Sequence, residues 1–125
     1  MVKYMSVGVK KMDIFVTEMK FENEVLNVFT EADVENCTAV SQMIVDSDDF
    51  SFIYLLDNGV DYVRLHFVSE TWEMLERYRN QKIVLNETLE LNNFYDELNY
   101  LISNIEGNNN YGKEFEAKVV ETFKA

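Results

Sequence analysis

A chain of 125 residues with 47 % apolar and 14 % aromatic content is long enough for one hydrophobic core, too short for two, and too apolar to be disordered. Its formal net charge of −12 repels phosphate backbones and anionic lipid, which disfavours nucleic acid and favours a basic protein partner or a cation. A single cysteine, Cys37, and a single histidine, His66, exclude a disulfide framework, a paired-cysteine redox motif and any zinc site built on several histidines.

Residues 1–11 carry Lys3, Lys10 and Lys11 and no acid, so the remainder holds eight basic against 23 acidic side chains, a net −15. They read as an N-terminal extension, ordered or disordered, ahead of one acidic domain over 12–125. Neither an export signal nor a membrane span is visible, so a cytoplasmic protein is expected. Residues 13–21 and 25–30 read as two strands, because Phe15, Met19 and Phe21 alternate with polar neighbours, as do Leu26 and Val28. Glu22, Asn23 and Glu24 form their turn. Residues 31–42 mix acids with scattered Ala32, Val34 and Val40, and a loop and a short helix fit equally.

An acidic turn, Asp46 to Asp49, precedes two apolar runs, Phe50–Leu56 and Val60–Val68, separated by Asn58-Gly59. That dipeptide supplies the positive φ angles of a two-residue type I′ hairpin turn. Its register would place Ser51 opposite His66, Ile53 opposite Arg64 and Asp49 opposite Val68. Ser69 then caps a helix over 70–79, with Glu70 in its first turn and Trp72, Leu75 and Tyr78 as core or core-edge residues. Ile83–Leu85 and Leu89–Leu91 are short strands around Asn86 and Glu87. Asn92 or Asn93 caps a second helix, in which Phe94, Leu98, Leu101, Ile102 and Ile105 recur at helical spacing. Gly107 stops it, and after Gly112 a last helix buries Phe115, Val119 and Phe123. The expected fold is α+β: a mainly antiparallel sheet built from hairpins, with two or three helices packed on one face.

Three stretches carry candidate chemistry. Asp46, Asp48 and Asp49 put three carboxylates within four residues, enough to share Mg²⁺ or Ca²⁺. The EF-hand pattern fails, since Ser51 stands where its glycine belongs and Asp57 where its glutamate belongs, and an ordinary Asx-type turn explains the same residues. Ser51, His66 and Asp49 would share one sheet face with Arg64, a set of hydrolase residue types. No Gly-x-Ser-x-Gly elbow offers the serine, so the expectation is the polar face of a half-solvated sheet, with no catalytic residue. The segment Gly107–Gly112 follows a helix and lacks Lys before Ser or Thr, so it is no phosphate loop. It serves as a helix stop and restart, or as a recognition surface made by Asn108, Asn109, Asn110 and Tyr111.

At Val45-Asp46-Ser47-Asp48, at Glu70-Thr71-Trp72 and along Asn104 to Phe115, the chain resembles a family of small acidic proteins from bacilli and staphylococci, known as an uncharacterised protein family of the UPF series. The resemblance runs from about Met12 to Phe123 and leaves residues 1–11 outside, so a chain starting at Met12 is expected to fold. It implies a cytosolic protein of Gram-positive bacteria and carries over no activity, cofactor or catalytic residue. Charge together with missing catalytic motifs therefore points to a non-enzymatic protein-binding or regulatory module with a basic protein partner and no cofactor. The alternative is a divalent-metal-dependent enzyme or metal-binding protein using the Asp46–Asp49 turn. Acidic mimicry of nucleic acid is a third reading, resting on charge alone.

Overall fold

The computed structural model describes residues 12–124, with Asn109 by its backbone alone, so the basic extension over 1–11 lies outside it. Among the described residues seven strands form one sheet: β1 (Met12–Glu22), β2 (Val25–Thr30), β3 (Thr38–Asp46), β4 (Ser51–Asp57), β5 (Tyr62–Val68), β6 (Lys82–Leu85) and β7 (Leu89–Glu90). Three helices follow β5 and β7: α1 (Trp72–Arg77), α2 (Phe94–Ile105) and α3 (Lys113–Phe123).

Spatial order in the sheet is β3-β4-β5-β1-β2-β6-β7. The sheet is mixed: four of its six pairings are antiparallel, in keeping with the mainly antiparallel expectation, and two are parallel, which hairpins alone do not make. The β1–β2 hairpin sits at the centre, the β3–β4–β5 meander joins it with β5 parallel to β1, and the β6–β7 hairpin joins with β6 parallel to β2. Turn residues announce antiparallel neighbours only, because a parallel pairing needs a crossover and leaves no local mark. The outer strands β3 and β7 approach each other, so the sheet curls and shields its edges.

Positive φ decides the tight turns. Asn23 and Glu24 (φ 56° and 63°) join β1 to β2, with Glu22 paired to Val25, and Asn86 and Glu87 (φ 50° and 68°) turn β6 into β7. Asn58-Gly59 does not make the expected two-residue turn. Asp57 pairs with Tyr62, leaving a four-residue loop in which the Asn58 carboxamide oxygen accepts from the Val60 and Asp61 amides at 2.9 and 2.8 Å. The Asn side chain thus caps its own loop in place of entering the left-handed region. Compared with the expected register, partners shift by two residues, which preserves the faces and changes who sits opposite whom.

Two bulges also depart from simple alternation. The register of β1 slips between Val16 and Glu18, so Ile14 and Val16 face the core before the slip, Met19 and Phe21 after it, and Phe15 lies on the other face. In β3 the slip falls between Ala39 and Met43, with Ser41 at φ 63°. There the Glu97 carboxylate of α2 accepts the Met43 amide at 3.2 Å. Residues 38–42, whose sequence fits a loop and a short helix equally, are strand.

All three helices cover one face. Phe52 on β4 meets Trp72 of α1 and Phe115 and Phe123 of α3, while Phe94 of α2 meets Tyr54 and Phe67. Trp72 also donates its indole N–H to the Phe67 carbonyl at 2.9 Å. The helix expected over 70–79 is shorter: a 3₁₀ turn at Ser69–Thr71 precedes α1, and no side chain caps it. Asn93 precedes α2 in the left-handed region, again without a side-chain cap bond.

Candidate functional site

Hairpin and parallel pairing together assemble a polar chain that runs from the exposed Asp13 to the buried His66 and Ser51. Ile53 stands opposite His66, so Ser51 reaches the ring diagonally, its Oγ 3.1 Å from His66 Nδ1. Asp13 arrives from β1 through its pairing with Arg64, and its Oδ1 lies 2.8 Å from both His66 Nε2 and Arg64 Nε. Phe15 stacks on the imidazole at 4.5 Å between ring centres. The acid of this chain is Asp13, and Asp49 stays in the turn before β4. Asp13 was missed because only the parallel β1–β5 contact brings it near.

An ionised Asp13 carboxylate only accepts, so Nε2 carries a proton, and in the neutral imidazole Nδ1 accepts from the Ser51 hydroxyl. Burial pulls the Asp13 carboxyl upward, but hydrogen bonds from His66 and Arg64 outweigh it and hold the group below its ordinary value. Ser51 is 0 % and His66 2 % exposed, which corrects the half-solvated expectation for this part of the face. A serine with no exposed surface offers its oxygen to no substrate carbonyl, and a nucleophile needs that access as much as it needs a base. The chain Asp13–His66–Ser51 satisfies buried polar atoms and pins β1, β4 and β5 together.

The two stretches singled out for partners and metal meet elsewhere, at one end of the helical layer. Residues 47–50 form a turn in which Asp46 Oδ1 accepts the Asp49 amide at 3.3 Å and Phe50 sits at φ 52°. That geometry is the Asx-type turn. Among the described residues no group of three or more His, Cys, Asp or Glu is placed to hold a metal ion, so Asp46, Asp48 and Asp49 do not converge. Phe50 packs edge-on against Phe115 of α3 at 5.6 Å, which brings the turn beside the bend between α2 and α3.

The bend is built from within. Asn108 accepts the Asn110 amide at 2.9 Å, and Glu116 reaches back to take the Gly107 amide at 2.6 Å. Gly112, at φ 89°, starts α3. Asn108 therefore shapes the bend, Asn110 is exposed, and Tyr111 is half-buried with its ring 6.2 Å from that of Phe115. Asn109 lies in a short 3₁₀ turn, Asn109–Tyr111. Ser47, Asp48, Phe50, Tyr111, Lys113 and Glu114 line one open depression of ≈ 380 Å³. Phe50, Lys113 and Glu114 were not singled out in the sequence. An aromatic next to an acidic turn and a Lys-Glu pair directly after Gly112 are the signals that could have found them.

The family model described as "Family of unknown function (UPF0738)" matches residues 14–123. A UPF0738 protein of Staphylococcus epidermidis is 49 % identical over 113 residues, covering 90 % of this chain and 98 % of that protein. A UPF0738 protein of Staphylococcus aureus strain Newman is 47 % identical over 112 residues, covering 90 % and 97 %. No solved structure matches.

Proposed function

The chain belongs to the UPF0738 family, whose function is unknown, and from that premise we propose that it is a non-enzymatic protein-binding module with a basic partner. The observation that carries this reading is the shared depression between Ser47–Phe50 and Tyr111–Phe115. A Tyr bedded on a Phe gives a rigid amphipathic contact at low entropic cost, and Asp48 and Glu114 beside it give a basic partner's side chains acceptors. The net charge of −12 steers such a partner and makes its capture sensitive to salt. The absence of exposed surface at Ser51 further favours contact over hydrolysis.

The full chain immobilised in bacterial lysate at low and moderate salt is the test, with Tyr111→Ala and Asp48→Asn alongside. A partner retained by the parent chain, weakened by salt and lost with Tyr111→Ala supports the reading. Equal retention by both variants, or no partner in repeated captures, overturns it.

A further inference from the structure

Among the described residues the other end of the core is open, at a place remote in sequence from the bend. The N-terminal ends of β1 and β5, residues 32–37 and the loop after β4 enclose a cleft of ≈ 220 Å³. Met12, Ile14, Val34, Cys37, Val60 and Val63 make its wall. Val60 is 87 % and Met12 43 % exposed, so apolar surface stands in water at its mouth. Among the described residues that line the cleft Asp33 is the one charged side chain, and the charges of Asp33 and Asp57 are both felt at the Cys37 thiol. Burial and these two carboxylates push the Cys37 thiol up, so the sulfur acts as a wall atom and not as a thiolate.

We propose that this cleft is a second docking site, which receives one large apolar side chain, Leu, Met or Phe, flanked by Lys or Arg on a protein partner. The volume lies below the roughly 300–1,000 Å³ of small-molecule sites, so the cleft suits a single side-chain anchor. An anchor in an apolar pocket inside a charged rim is the arrangement that gives partner contacts both affinity and choice. Asp33 in the lining and Asp57 near it each also accept a backbone amide, from Glu35 at 2.9 Å and Gly59 at 2.7 Å, so both carboxylates are held in place.

The test titrates the ¹⁵N-labelled full chain with lysine-flanked heptapeptides carrying Leu, Met, Phe or Ala at the centre. The large-centred peptides should shift the amides of Val34, Cys37 and Val60, slow Cys37 alkylation, and bind at least about tenfold more tightly than the Ala-centred one. Asp33→Asn with Asp57→Asn keeps both amide bonds and should weaken binding severalfold, as should added salt. Val60→Ser, at an exposed position, should weaken it without unfolding the chain. Tyr111→Ala should leave it unchanged, which separates this site from the bend. Peptides that bind regardless of the central residue, that shift amides elsewhere, or that do not bind overturn the proposal.

Discussion

His66 is held between a carboxylate that only accepts and a hydroxyl that rotates to suit, so its ring orientation is fixed and, in the neutral ring, its tautomer too. Ser51→Ala would leave Nδ1 buried without a donor, and should cost about 1–3 kcal/mol in a urea melt with no hydrolytic activity lost. Asp13 sets the acid side of stability. Its folded carboxyl lies below the ordinary value, so its contribution is fully present above the unfolded pKa of about 3.9 and is lost as pH falls through the lower folded value. The stability gap between the parent chain and Asp13→Asn should therefore hold at pH 6 and close towards pH 2. A gap independent of pH would show that the carboxylate charge plays no part. Alternation of residues along 51–56 and 63–67 made the shared face of Ser51 and His66 legible in the sequence. The identity of the acid was not, since Asp13 joins them across a pairing of residues 51 apart in the chain.

Turns show the same division at the scale of elements. Asn23-Glu24 and Asn86-Glu87 were legible as turns because Asn tolerates the left-handed region, and both hairpins follow. Glu at the second turn position is strained there. Glu24→Gly, which has no Cβ to clash, should raise stability by about 0.5–1 kcal/mol in thermal unfolding, and a loss would contradict the assignment. Asn86 has a further task, its side chain bridging the Thr30 amide at 3.0 Å and the Ala32 carbonyl at 3.3 Å. Asn58-Gly59 misled for a physical reason: the Asn58 carboxamide satisfies two loop amides more readily than a left-handed backbone would. The bulges at Thr17 and Ser41 break alternation in mid-strand, and a period-2 pattern does not reveal where the phase slips.

At the scale of the molecule, the helical stripes read from sequence are buried at Phe94, Leu98, Ile102 and Ile105 in α2 and at Phe115, Val119 and Phe123 in α3, with Leu101 half-buried at the edge of the core. Missing was how the helices are tied. Arg79, just after α1, pairs with Glu76, donates to Asn99 of α2 at 2.7 Å and to the Phe123 carbonyl of α3 at 3.1 Å. A planar fork with several donors serves three helices at once, so Arg79→Lys should cost about 1.5–3 kcal/mol in chemical denaturation, nearly as much as Arg79→Ala. That junction places α3, and α3 in turn sets Phe115 beneath both Phe50 and Tyr111. The acidic turn and the bend were both visible in the sequence as separate stretches, and only this packing unites them. Amide hydrogen exchange on the complex with a captured partner tests the united surface most directly. Protection of both residues 47–50 and 108–114 is expected, whereas unchanged exchange in both segments, with protection over Phe15, Ser51 and His66, would contradict it.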